Sequence, residues 1–327
     1  MSLGSQFYRT CWAISLVSVA LTADNLPVIP KPINQPQSYK TFTDWCQNQD
    51  ILPPDTKHTI SVLLTKAKTS DCIEANKQLS GSDKIDLFNQ QIKDIRPLAS
   101  LTSLTGMGLA KNQISDLKPL ASLTKLTTLN LSFNQLQDLS PLSSLTDLTT
   151  IYLTHNQISN ITPLGALTKL KYLNLTHNQI VNLGPLSNLN NLSTLVLDEN
   201  AVTNLSSLSS LSKLNDLSLD SNQISDLSSL EKLINLTDLG LSKNQISDVK
   251  PLSSLTKLTH LYLGENKIND VTPLGELINL DVLFLNNNEI ATLTPLATLK
   301  NLSTLKLENN PIVDQICPVK PTSICSF

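Results

Sequence analysis

From Gln90 onward a side-chain amide recurs at every twenty-second position, at Asn112, Asn134, Asn156, Asn178, Asn200, Asn222, Asn244, Asn266, Asn288 and Asn310. A leucine stands three residues before each anchor, from Leu87 to Leu307, and Ile, Leu or Val stands two residues after it. Further apolar columns run five and eight residues before the anchor and five, eight and eleven after it; the first unit breaks one of them with Ser82. No single amphipathic helix or strand registers so many columns. The pattern predicts a solenoid with one coil per repeat, each coil burying its leucines against its neighbours.

Within a unit such as LTTLNLSFNQLQDLSPLSSLTDL, the alternating stretch TLNLS reads as a short strand, followed by a turn around the Asn and a tight return on the far side. Alternation turns residues six, four and two before the anchor outward, and those five and three before it into the core. The Asn column has a separate cause. Where the chain leaves the strand, inward-turned backbone groups lose their ladder partners, and an amide supplies two donors and an acceptor. Pro97, Pro119, Pro141, Pro163, Pro185, Pro251, Pro273 and Pro295 share one position, with Ser207 and Ser229 replacing proline in two units. Proline suits the first residue of a short helical turn, because its φ is fixed and its missing N–H is not needed there.

The unit L-x-x-L-x-L-x-x-N-x-I-x-D-L-x-P-L-x-x-L-T resembles the 22-residue leucine-rich repeat of bacterial internalins, and the resemblance covers about Asp83 to Asp314. It implies a right-handed solenoid that recognises a partner protein through its concave face. The expected fold is therefore an α/β solenoid, a leucine-rich repeat horseshoe of about eleven 22-residue coils. Short parallel strands line its concave face, and irregular or 3₁₀ turns its convex face. Residues 41–82 have helical spacing, with Asp55 and Asp71 read as helix N-caps, and resemble a helical N-terminal cap. Residues 315–327 resemble the disulfide-closed C-terminal cap of envelope-type bacterial repeat proteins.

Composition adds the compartment. Arg9 precedes the apolar run CWAISLVSVAL and small residues at Ala20 and Ala23, which reads as a signal peptide over 1–23. The run is shorter than the ~20 residues a membrane-spanning helix needs, so no stable span is expected. The alternative reading is a retained cytosolic terminus. Four prolines over residues 24–40 predict an extended linker. Loss of Cys11 with the signal peptide would leave Cys46, Cys72, Cys317 and Cys325, two pairs flanking a cysteine-free middle. Cys46 is expected to pair with Cys72 and Cys317 with Cys325; the alternative is four reduced buried thiols. A net charge of -3 lacks the basic stripe that phosphate backbones require, which excludes nucleic acid as the expected partner.

The outward positions carry the candidate contacts. Early coils are bland, with Gly106, Gly108, Thr128 and Ser132. Tyr152, Thr154, Tyr172 and Asn174 follow, with His155 and His177 at the rim; then an acidic stretch of Asp198, Glu199, Asp216, Asp220 and Asp238; then His260, Tyr262, Glu265 and Phe284. Two aromatic patches thus flank carboxylates, and rigidly held aromatics are efficient contact anchors. His155 and His177 fall within reach if neighbouring coils lie ~4.8 Å apart, each then disfavouring the other's charged form. Two imidazoles fall short of the three or four ligands of zinc, and no carboxylate matches them in their own coils, so no metal site and no cofactor is expected. Neither a G-x-S-x-G nor an H-E-x-x-H nor a phosphate-binding loop is present. The sequence therefore predicts a monomeric, non-catalytic recognition module, secreted, periplasmic or in the cell envelope, that binds a protein, with a glycan as a second admissible ligand. Similar repeats occur in a cytosolic regulator of protein phosphatase 1, so the alternative is a cytosolic scaffold of an enzyme such as a phosphatase.

Overall fold

A computed structural model describes residues 39–327. The expected signal peptide over 1–23, with Cys11, and nearly all of the 24–40 linker lie outside the described residues. Helix α1 (Phe42–Gln47) is closed by a reciprocal cap: the Thr41 hydroxyl accepts from the Asp44 N–H, and the Asp44 carboxylate accepts from the Thr41 N–H. Helix α2 (Pro54–Lys66) begins on proline, and Pro53 occupies the capping position. Asp55 therefore sits inside the first turn and does not cap, contrary to the sequence expectation, because a proline needs no N–H partner there. Asp71 caps helix α3 (Cys72–Ser80), accepting from the N–H groups of Ile73 and Glu74. The Cys46–Cys72 disulfide ties α1 to α3. Phe42, Ile60, Leu63, Ala75 and Leu79 are buried and join the same core as Ile85 and Leu87 of the first coil, covering its open end.

Eleven three-residue strands follow at steps of 22, from β1 (Lys84–Asp86) to β11 (Thr304–Lys306), all parallel, each bonded to the next in one sheet. The repeat sets the register: Ile151 pairs with Leu173, and Leu173 with Leu195. A further strand, β12 (Cys325–Ser326), extends the sheet beyond the eleven coils expected from the period. It comes from the C-terminal cap, where the Cys317–Cys325 disulfide turns the tail back beside β11.

The core repeats as faithfully as the sequence. Around Asn134, the side chains of Leu126, Leu129, Leu131, Leu136, Leu139, Leu142 and Leu145 are all at most 1% exposed. Each such burial is worth roughly 1.5–3 kcal/mol, so the coils are held chiefly by stacked leucines. The Asn amides satisfy the backbone they were expected to serve. Asn156 donates to the carbonyls of Leu153 (3.0 Å) and Leu131 (3.1 Å), and its carbonyl accepts from the Leu136 N–H at 3.0 Å. The amide thus bonds its own coil and the preceding one. On the convex side, a proline gives a five-residue 3₁₀ turn, as in Ser140–Ser144. Where Ser207 and Ser229 replace it, the turns shorten to Ser206–Leu208 and Ser228–Leu230. The fixed φ of proline presets the conformation that serine must pay entropy to reach.

Candidate functional site

The pleat of each strand lifts two residues toward solvent and drives one into the core. In β4 (Thr150–Tyr152) and β5 (Tyr172–Asn174) the burial alternates accordingly, with Ile151 and Leu173 fully buried. Tyr152 and Tyr172 lie on the diagonal of this pair, ring centroids 4.8 Å apart and tilted by 43°. Burial, and secondarily the neighbouring Tyr172, pushes the Tyr152 hydroxyl above its ordinary range, so it stays a neutral donor. A second aromatic pair stands toward the other end. Tyr262 of β9 (His260–Tyr262) and Phe284 of β10 (Val282–Phe284) occupy the same register, 5.0 Å apart and edge to face at 87°. The Lys306 ammonium caps this pair, 4.2 Å from the Phe284 ring centre.

Between the pairs lies the acidic stretch. Asp216 of β7 (Asp216–Ser218) is in register with Asp238 of β8 (Asp238–Gly240), so two like charges face each other across the ladder. The Asp216 carboxyl is pushed up by burial first, then by Asp238 and Asp198. Asp198 accepts from the Ser218 hydroxyl (2.6 Å) and the Asp220 N–H (2.9 Å), and its carboxyl is nevertheless raised by burial. Asp220 accepts from the Ser242 N–H at 2.7 Å, and burial pushes it up to about 6. Gly240 makes this crowding tolerable. A Cβ there would come within 2.8 Å of the Ser218 hydroxyl and 3.0 Å of an Asp220 oxygen. Asp216, Asp220, Asp238 and Tyr262 line an open hollow beside this glycine. His260 lies away from the other two candidate histidines and bonds Asp238 at 2.9 Å, its register partner one repeat back.

Thr154 and Asn174 are less available than the pattern suggested. The Thr154 hydroxyl donates to the Asn174 carbonyl oxygen at 2.9 Å, and the same oxygen accepts from the Thr176 N–H at 3.0 Å. Their polar groups are turned toward each other.

The rim brings His155 and His177 together, as the coil spacing led one to expect, and adds neighbours on either side of them. The residue before each Asn has a positive φ between 52° and 58°, from Lys111 through Phe133, His155, His177 and Glu199 to Asn309. This left-handed step, unfavourable for any side chain with a Cβ, aligns those side chains one above another. Phe133 stacks on His155 with centroids 4.4 Å apart, and His155 lies 4.0 Å from His177. His177 Nδ1 meets Glu199 Oε2 at 2.7 Å. A carboxylate therefore does stand beside the histidine pair, contributed by the next coil. One repeat beyond His177 stands Glu199, as Lys306 stands one repeat beyond Phe284. Phe133 is 43% exposed and belongs to the face. Among the described residues, no group of three or more His, Cys, Asp or Glu side chains is placed to hold a metal, and no helix is long and apolar enough to cross a membrane.

A parallel strand per coil, an Asn ladder and a 3₁₀ return define a repeat architecture, and the sequence profile of Leucine Rich repeats (2 copies) matches residues 102–144, 124–166, 146–191, 234–276 and 278–321. The chain belongs to the leucine-rich repeat family. No curated protein matches it at a significant level. Among solved structures, an internalin (inlF) from Listeria monocytogenes is 29% identical, with a TM-score of 0.65, covering 80% of this chain and 94% of its own. A leucine-rich repeat protein of Leptospira interrogans is 28% identical, with a TM-score of 0.62, covering 74% of this chain and 70% of its own. The functional domain of InlJ from Listeria monocytogenes, 24% identical with a TM-score of 0.68 over 84% of this chain and 58% of its own, shares the fold. This leucine-rich repeat chain is internalin-like, with disulfides in both caps.

Proposed function

We propose that this leucine-rich repeat protein is a non-catalytic recognition module of the bacterial cell envelope or secreted fraction, holding a partner protein on its concave face. The observation that carries the reading is the pair of aromatic clusters, Tyr152 with Tyr172 and Tyr262 with Phe284, half-buried on the outward side of one sheet with carboxylates between them. Large side chains already fixed by neighbours lose little entropy on contact, which is why such clusters dominate interface energies. The acidic stretch adds orientation and steers partners of opposite charge.

Export is supported by the two cap disulfides, which persist in oxidising compartments and are rare in the reduced cytosol. In this reading residues 1–23 act as a signal peptide, 24–40 as a linker, 41–82 and 315–327 as caps, and 83–314 as the recognising solenoid. A cytosolic scaffold of a phosphatase-like enzyme would instead keep a full-length chain with reduced cysteines, and intact mass after fractionation separates the two.

The test is affinity capture from native envelope with three baits: the unaltered chain, Tyr152→Ala with Tyr172→Ala, and Tyr262→Ala with Phe284→Ala. The expected result is one partner lost from at least one variant while both keep the melting temperature of the parent. A partner retained equally by all three places the interface off the concave face.

A further inference from the structure

The ladder along the rim places one imidazole between two other rings. We propose that Lys111, Phe133, His155 and His177 form a proton-operated contact edge: a closed stack that opens when His155 takes up a proton in mild acid, leaving a cationic edge that fits a carboxylate-rich segment of a partner. His155 is the moving part. It is sandwiched between Phe133 on the preceding coil, at 4.4 Å, and His177 on the following one, at 4.0 Å. A protonated ring can remain on Phe133 through a cation–π contact, but two imidazolium ions cannot share a 4.0 Å stack.

Among the described residues, the charged groups facing His155 from each side are few. Beyond Phe133 stands Lys111, its ammonium 5.7 Å from the Phe133 ring and 5.4 Å from Phe88. Beyond His177 stands Glu199, bonded to it at 2.7 Å, with Lys243 and Asp198 as the further charges acting there. Desolvation, and then His177, hold the His155 imidazole below its ordinary range, while Glu199 pulls weakly the other way. The hydrogen bond from His177 holds Glu199 below the usual carboxylate range, so it remains ionised throughout the switch. Protonation of His155 adds a positive charge beside Lys111, while the Glu199 carboxylate is already engaged by His177. An acidic segment is the complement of that edge.

The proposal rests on the concave face being a contact surface, yet its first test needs no partner. The ring Cε1–H signals of the full chain are followed by NMR against pH, with the four histidines assigned by substitution. His155 is expected to titrate below a free histidine peptide in the same buffer, to move up in His177→Asn and to move down in Glu199→Gln. A peptide-like midpoint that neither variant moves overturns the switch and leaves the concave-face reading intact. The second test adds a deca-glutamate peptide as probe. Its apparent affinity is expected to fall about tenfold per pH unit above the His155 midpoint, as the competent fraction falls, and the pH dependence is expected to vanish in His155→Asn. Equal binding above and below the midpoint overturns the cationic-edge assignment.

Discussion

Replacing Asn178 by leucine isolates the cost of the amide ladder, because the partners of this side chain are all backbone groups. Its Nδ2 donates to the carbonyls of Leu153 at 3.0 Å and Leu175 at 2.9 Å, with a longer contact to Thr176 O at 3.3 Å, and its Oδ1 accepts from the Ile158 N–H at 3.0 Å. The losses are not equal. Leu153 O also accepts from Asn156, Leu175 O from Asn200 and Thr176 O from the His155 N–H, so each carbonyl keeps one donor. The Ile158 N–H alone is stranded. An orphaned buried group costs about 1–3 kcal/mol, and each of the two closely bonded carbonyls, once weakened, roughly 0.5–1.5, which gives about 2–6 kcal/mol for Asn178→Leu. The control is Gln179→Leu, which adds the same side chain at the adjacent exposed position. Urea unfolding of both variants gives the difference, and amide exchange locates it in the coils around Ile158 and Leu175, since a repeat couples mainly to its neighbours. If the two variants unfold within about 0.5 kcal/mol of each other, the amide is not satisfying backbone and the explanation of the Asn column fails.

Asp220→Asn tests the crowded centre of the face. Asp220 holds its proton up to about 6 when folded, against 3.8 in the reference state, so the unfolded chain releases that proton first. Stability contributed by this group is therefore present below the reference value and lost as pH rises through the folded one. The variant should be more stable than the parent by about 1–2 kcal/mol at pH 7, after allowing for solvent screening, and level with it below pH ~4; a gap independent of pH refutes the assignment. The cap disulfides should differ in weight, since they close loops of 26 and 8 residues. Removing Cys46–Cys72 by serine substitution should cost about 3.5 kcal/mol and Cys317–Cys325 about 2.5 kcal/mol, read as denaturant midpoints; the reverse order counts against the loop-entropy account.

The period reveals most of the scaffold because each inward position meets its own counterpart one coil away. The side chain at Leu129 meets Ile151 in register, and Ile151 meets Leu173, so one geometric solution is written again in every coil. Irregular features leave no such trace. Asp55 and Asp71 look alike in sequence, and only the proline before Asp55 decides that one caps and the other does not. Strand β12 has no period to announce it, because a disulfide and not a repeat sets it down.

The outward residues obey a subtler form of the same rule. Nothing in the pattern dictates what stands at a solvent-facing position, so its chemistry is free, but its neighbour is fixed one repeat away. Asp238 with His260, Tyr262 with Phe284, Phe284 with Lys306, and His177 with Glu199 are all such pairs. What the spacing does not convey is direction. The left-handed step before each Asn is imposed by the turn and accepts Lys, Phe, His, Glu and Ser alike, so no residue type signals it; yet that step swings Phe133, His155 and His177 into one stack. In the same way, alternation exposes Asn174 and Asp198 equally, while the hydrogen bonds of Thr154 and Ser218 turn them back onto the sheet. In the proposed mode of recognition a partner on this face would meet the aromatic pairs and the rim ladder first, and a substitution at Asn174 should disturb the sheet's own bonding before it disturbs recognition.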